Sequence, residues 1–193
     1  MHGERPKRDI LDEGHSDTPP DSKMTTDYKG KTENLNFKIS TLNVRGIRNK
    51  DKRRSVFLWA KEKNIDILCL QETHITEEIV NSVNKDWNGE ILHSITNSSF
   101  SRGVAILFSK KLNFEIVNTH RDSFGRKLLI NINLDNENIT NVNAYAPNND
   151  KARKDFLKRL NSWTKQYAID CNNVFIMGDL NIIEIKMIEH PKI

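Results

Sequence analysis

The sequence predicts an α/β chain with a sheet-on-sheet core flanked by helices. Three observations carry that prediction. Short apolar runs of β-forming residues recur along the chain (FKISTL, IDILCL, GVAILF and NVFIMG), and the middle two are apolar enough to be buried on both faces. KLLININL and NITNVNAY follow one another across a polar Asp-Asn-Glu turn, as antiparallel neighbours do. Two longer segments carry their apolar residues at helical rather than strand spacing.

In chain order, the first strand is FKISTLN, which begins at Phe37 and ends at Asn43. DKRRSVFLWAKEK reads as a helix, with Val56, Trp59 and Ala60 at i, i+3, i+4 spacing and Asp51 placed to cap it. IDILCL and GVAILF are buried strands. KLLININL sets Leu128, Ile130, Ile132 and Leu134 on one face by strict alternation. NDKARKDFLKRLNSWTKQY is the clearest helix, because Ala152, Phe156, Leu160, Trp163 and Tyr167 form one stripe opposite a basic face. NVFIMG is a further buried strand. There is no internal repeat.

At 193 residues the chain is long enough for one good core and too short for two comfortable domains. No apolar run approaches the roughly 20 residues that cross a bilayer, and MHGERPKRDILDEGHSD has no apolar segment of a secretory signal. Cys69 lies in an apolar run and Cys171 in a polar stretch, so a disulfide is not expected. A reducing, intracellular compartment (nuclear or cytoplasmic) is. Residues 1–36 carry six Lys/Arg against eight Asp/Glu and three of the five prolines, with almost no large apolar residues. Such a segment cannot bury enough surface to offset its ordering entropy and is expected to be a disordered tail. The remainder carries 24 Lys/Arg against 18 Asp/Glu, a basic balance that suits a polyanionic partner.

The chemistry lies at the carboxyl ends of the buried strands, where open α/β sheets place their ligand sites. FKISTL is followed by Asn43, and IDILCL by Gln71, Glu72, Thr73 and His74. NITNVNA is followed by Tyr145, Pro147 and Asn148, and NVFIMG by Asp179 and Asn181. Each has an ordinary reading: a turn former at Asn43, a helix N-terminal carboxylate at Glu72, a half-buried Tyr145, a cap at Asn148, an Asx turn at Asp179. Four strands ending alike outweigh those readings. No Ser–His or Cys–His pair points to a protein nucleophile. An oxygen-rich cluster with few carboxylates suits a hard cation such as magnesium, shared with a substrate's phosphate. The reaction this implies is attack by water on a phosphate ester.

In order, LNVRG, LQETH, SRGVAIL, FGRKLLI, NAYAPN and MGDLN resemble the motif blocks of the endonuclease/exonuclease/phosphatase superfamily. Within it they resemble the apurinic-type endonuclease domain of LINE-type retrotransposons. The resemblance runs from about Phe37 to Asn181. It implies a four-layered α/β sandwich of the pancreatic-DNase type, two mainly antiparallel sheets with flanking helices. It implies DNA as partner, no stable small-molecule ligand, and magnesium (or manganese) as cofactor. By resemblance Glu72 is the metal-ligand glutamate and Asn43 supports metal and phosphate. Tyr145 and Asn148 bond the scissile phosphate, Asp179 orients or deprotonates the attacking water, and Asn181 stabilises the transition state. Arg45 falls where retroelement relatives contact phosphate, and His74 stands beside the site. A remnant that only binds nucleic acid or magnesium is expected to do so through Arg45, Arg48, Lys50, Lys52, Arg53, Arg54 and the basic face of the last helix. The resemblance also implies a further aspartate and a Ser-Asp-His after Asn181. IIEIKMIEHPKI, residues 182–193, matches neither, so the expectation is the front part of a nuclease domain with impaired activity. Two alternatives stand beside it: a catalytically dead remnant that binds nucleic acid or magnesium, and a phosphatase or lipid phosphodiesterase of the same fold.

Overall fold

The structure, a computed structural model, describes residues 24–29, 36–95, 102–169 and 173–182. Twelve elements are described: β1 (Met24–Lys29), β2 (Asn36–Asn43), α1 (Lys50–Glu62), β3 (Ile67–Gln71), α2 (Glu77–Asp86), β4 (Gly89–Ser94), β5 (Val104–Ser109), β6 (Glu115–Arg121), β7 (Lys127–Leu134), β8 (Glu137–Tyr145), α3 (Asp150–Tyr167) and β9 (Val174–Asp179). One sheet has the order β1-β2-β3-β5-β4 and the other β6-β7-β8-β9. Each sheet holds one parallel pair, β2 with β3 and β8 with β9, and every other neighbour is antiparallel.

Side-chain alternation builds four layers from these strands. Phe37 and Ile39 of β2, Ile67 and Cys69 of β3, and Val104, Ile106 and Phe108 of β5 face inward. They meet Leu128, Ile130, Ile132 and Leu134 of β7, the alternation read from the sequence, together with Ile139 and Met177. The opposite faces of β2, β3 and β5 (Leu42, Leu68, Leu70, Ala105, Leu107) pack on Val56, Phe57 and Ala60 of α1, with Val83 and Trp87 at α2. Leu129, Val142 and Ala144 pack on Phe156 and Leu160 of α3. Because β3 is covered on both sides, all five of its residues are buried, which is why its sequence is nearly all apolar.

Several local expectations are corrected. The cap of α1 is Asn49, whose side chain accepts from the amides of Asp51 and Lys52; Asp51 instead lies in the first turn, near the positive end of the helix. Phe57 is buried where Trp59 was expected, and Trp59 is only half-buried. Residues 24–29, within the expected disordered tail, form β1 along β2. A strand at a sheet edge is held by its backbone ladder, and Thr25, Thr26 and Asp27 are exposed, so composition carried no sign of it. The rest of residues 1–35, Cys171 and residues 183–193 lie outside the described residues. The sequence reading also passed over α2, β4 and β6; β6 is an edge strand with mostly exposed side chains and shows no apolar pattern.

A polar staple crosses the core. Asn143 of β8, fully buried, donates through Nδ2 to Leu70 O at 2.9 Å and Ala105 O at 2.8 Å in the other sheet. Its Oδ1 accepts from Gln71 Nε2 at 2.7 Å. Asn143→Ala strands these buried groups, each worth about 1–3 kcal/mol when unpaired. We therefore expect a loss of about 2–5 kcal/mol in urea unfolding. A midpoint shift within experimental error would show that the staple is not structural.

Candidate active site

The inward-facing positions turn from apolar to polar toward one edge of the sandwich. β2 presents Phe37, Ile39, Thr41 and then Asn43, and β3 presents Ile67, Cys69 and Gln71. β8 presents Ile139, Asn141, Asn143 and Tyr145, and β9 presents Phe175, Met177 and Asp179. Since β2/β3 and β8/β9 are the two parallel pairs, these strands all end at the same edge. The cluster is therefore the polar end of the inter-sheet core.

At its centre Asn43 Nδ2 donates to Glu72 Oε1 and to Asp179 Oδ2, both at 2.8 Å. One amide thus joins carboxylates carried by different sheets. The Asn43 Oδ1 accepts from the Arg45 amide at 3.1 Å. Asp179 Oδ1 accepts from the Asn181 amide at 3.1 Å, and Asn181 Nδ2 donates to Ala146 O at 2.7 Å. The Tyr145 phenol is hydrogen-bonded to Glu72; partial burial first, then that carboxylate, push its pKa up to about 12. Near neutrality the phenol is therefore protonated and donates. His74 Nε2 lies 3.8 Å from Glu72 Oε2, and its pKa is lowered, chiefly by burial. Asn43, Glu72, Tyr145, Asp179 and Asn181 are thus brought together. Asn148 sits at the rim, lining an open cleft of about 700 Å³ with Arg153, Asp179 and Asn181. Arg45 is exposed, its backbone amide bonded to the Asn43 carboxamide.

Backbone strain concentrates here. Arg45 (φ 45°), Glu72 (φ 52°), His74 (φ 54°) and Asn181 (φ 52°) all adopt the left-handed region, at about 1–3 kcal/mol each. At Glu72 this ends β3 abruptly and swings the carboxylate sideways to Asn43. Gly178 has φ 143°, and a Cβ there would lie 1.9 Å from Ala144 O. Only glycine lets β9 approach β8 closely enough to deliver Asp179.

Three features escaped the sequence reading or differ from it. Arg126 stacks over the Tyr145 ring at 4.9 Å and donates through Nη1 to Tyr145 O at 3.0 Å; its FGRK setting was the available signal. Arg53 is buried, donating through Nε to Asp86 Oδ2 at 2.9 Å and through Nη1 to Ile47 O at 3.1 Å, so it is withdrawn from the expected basic surface. The cap of α3 is Asn149, not Asn148.

The donor set fits a hard divalent cation held loosely. Among the described residues no three His, Cys, Asp or Glu side chains gather into a closed cage. Magnesium needs only one or two carboxylates, keeping water and substrate oxygens for the rest. Glu72 offers such a carboxylate. Asn43 can add its amide oxygen only by turning it from the Arg45 amide, to which it is now bonded.

A model of the endonuclease/exonuclease/phosphatase family matches residues 40–185. The chain belongs to that family. Family members are hydrolytic nucleases and phosphatases, and family nucleases use divalent metals. The chain is 29% identical over 140 residues to the transposon TX1 uncharacterized 149 kDa protein of Xenopus laevis, covering 72% of this chain and 10% of that protein. It is 26% identical over 168 residues to an exodeoxyribonuclease of Bacillus subtilis, covering 81% of this chain and 63% of the relative. The chain therefore spans only part of each. An AP endonuclease of Archaeoglobus fulgidus superposes with a TM-score of 0.55 at 25% identity, over 76% of this chain and 58% of that one. In this endonuclease/exonuclease/phosphatase domain, among the described residues, no helix is long and apolar enough to cross a membrane.

Two measurements probe this geometry. Gly178→Ala forces a backbone clash and a strained φ, and should cost about 1–3 kcal/mol or more in urea unfolding. Wild-type stability in that variant would show that β8 and β9 are not so close. In metal-free buffer one tyrosine should ionise only at a pH near 12, and Tyr145→Phe should remove that late step. The sign follows from the raised pKa: the folded phenol holds its proton more tightly than an unfolded one. The stability it contributes is present below pH 10 and lost as pH rises toward 12. A late step near pH 12 that survives Tyr145→Phe, or no late step in the wild type, would exclude the Tyr145–Glu72 contact.

Proposed function

We propose that this chain is a metal-dependent phosphodiester hydrolase domain of the retrotransposon endonuclease type, acting on DNA. One observation carries the reading: a single amide, Asn43, holds Glu72 and Asp179 of different sheets at 2.8 Å each, with the Tyr145 phenol beside them. That is a compact set of oxygen ligands and proton donors, the equipment for moving a phosphate's charge and a water's proton. The named relatives, a transposon protein, an exodeoxyribonuclease and an AP endonuclease, support a nucleic-acid substrate.

Glu72, joined by Asn43, would hold magnesium or manganese, which when bound neutralises phosphate charge and polarises the ester. The chain's own side chains do the rest. Asp179, fixed by Asn43 and by the Asn181 amide, presents a carboxylate that orients a water and takes its proton. Tyr145, keeping its proton, offers its phenolic O–H as a hydrogen-bond donor to a phosphate oxygen. Asn181 and Asn148 offer amide donors where charge grows on that phosphate, and Arg45 meets the strand outside the cleft. The pI of about 9.0 and the exposed Lys151, Lys154 and Lys158 of α3 favour a polyanion over a neutral lipid ester. Among the described residues His74 is the one imidazole beside the cluster, and no aspartate pairs with it. General acid–base help from such a pair is worth about 10²–10⁴ in rate.

The test is nicking of supercoiled plasmid with magnesium, by this chain and by a chimera carrying the C-terminal half of a family member. We expect poor nicking or none from the chain by itself and efficient nicking by the chimera, lost in Glu72→Ala. An inactive chimera, or nicking that survives Glu72→Ala, would overturn the assignment.

A further inference from the structure

Beside the cluster, the turn between β6 and β7 carries an aromatic side chain with no structural duty. Phe124 is 62% exposed, yet its turn is rigid. Asp122 Oδ1 accepts from the amides of Arg126 at 2.8 Å and Lys127 at 2.9 Å, and Asp122 O accepts from Ser94 Oγ at 3.2 Å. The turn is also tied to the cluster through backbone. Gly103 N donates to Gly125 O at 3.1 Å, Thr73 N donates to Gly103 O at 3.0 Å, and Tyr145 N donates to Arg126 O at 2.8 Å. Phe124 is thus fixed one residue from the layer that adjoins Glu72.

Two arginines belong to the same backbone layer: Arg126 is two residues on from Phe124, and Arg102 precedes Gly103, whose amide bonds Gly125 O at 3.1 Å. Arg126 lies over Tyr145, and Arg102 is close enough for the two charges to oppose one another. The Asp122 carboxylate is turned to backbone amides, and among the described residues neither arginine forms an ion pair. Like charges held close to each other, neither of them ion-paired, favour a bound anion. A lone exposed Phe is ordinary on a protein surface. One on a hydrogen-bonded turn that also carries Arg126, tied by backbone to Gly103 next to Arg102, at the edge of a phosphate-handling site can serve as a stacking platform, since a base offers its face and the next phosphate its charge.

We propose that Phe124, with Arg102 and Arg126, forms a nucleotide subsite next to the cleavage position: one base of the substrate strand stacks on Phe124 while the adjoining phosphate bridges the two guanidiniums. This rests on the nucleic-acid reading above and adds to it the element that grips a base. Stacking on a ring tolerates any base, so the subsite positions the strand without reading its sequence. It also requires that base to leave the duplex or to be unpaired already.

The probe is a fluorescein-labelled single-stranded DNA carrying 2-aminopurine at successive positions, titrated with the intact chain in chelator so that no turnover occurs. We expect quenching of 2-aminopurine at one position and its loss in Phe124→Ala. Affinity should fall about 5- to 100-fold, the range given by loss of one base–aromatic stack. Phe124→Trp should restore both signals. Arg102→Ala and Arg126→Ala should each reduce the slope of log affinity against log salt, while Phe124→Ala leaves the slope unchanged. Binding and quenching unaltered in Phe124→Ala, or no oligonucleotide binding at all, would overturn the subsite. Failure of the two readings is separable. Cleavage by the chimera that is indifferent to Phe124 sinks the subsite alone, and Phe124-dependent binding without Glu72-dependent cleavage sinks the hydrolase alone.

Discussion

Everything at the working edge depends on the two sheets keeping one register, and the buried Asn143 is what keeps it. Apolar packing between sheets is strong but nearly indifferent to a small slide, because methyl groups exchange neighbours at little cost. Hydrogen bonds are not indifferent. Asn143 reaches across to Leu70 O, Ala105 O and Gln71 Nε2, so a slide would leave buried polar groups unpaired on both sides. Asn143 is two residues before Tyr145, and Gln71 is immediately before Glu72. The staple therefore sets how close those two side chains come.

From that register the cluster follows by geometry. Along each central strand the interface-facing side chains pass from Phe and Ile through Thr, Cys or Asn to Asn43, Tyr145 and Asp179. The gradient lets one continuous interface serve first as core and then as site. Its end is strained, with Glu72, His74, Arg45 and Asn181 in left-handed backbone. Such strain persists only where surrounding structure over-determines it, and here two sheets and the Asn43 bridge do so. The same rigidity extends outward to the Asp122–Lys127 turn, whose backbone bonds continue the layer of Gly103 and Thr73.

Electrostatics separates the interior of this region from its rim. Inside, Asn43 stands between two carboxylates and Tyr145 keeps its proton, so the group nearest Glu72 is neutral and donating. Outside, Arg153 lines the cleft, Arg45 is exposed beside Asn43, and Arg102 and Arg126 are close enough for their charges to oppose one another. Arg53 belongs to neither set. Its guanidinium closes on Asp86 and on the carbonyls of Ile47 and Arg48, and so ties α1 to α2 and to the loop that carries Arg45. A run of basic residues in sequence is thus divided between surface and core, and burial decides the division.

The sequence by itself determined β2, β3, β5, β7, β8 and β9, the two long helices and the residues at the strand ends, because those depend on local periodicity and on which residues terminate an apolar run. Leu128, Ile130, Ile132 and Leu134 had to share a face once KLLININL was a strand, and Glu72 had to come directly after β3 wherever that strand lay. Other features had no local cause. The edge strand β1 is held by a neighbour's backbone, not by its own composition. Asn49 in place of Asp51 as a cap turns on two residues of helix length. The Asn43 bridge joins residues 29 and 136 positions apart in the chain, which no local pattern encodes. The placement of Arg102 next to the Phe124–Arg126 turn depends on two separate segments meeting through the Gly103–Gly125 backbone bond. Tertiary structure decided these because each is a contact between distant segments, and its energy exists only after both sheets have packed.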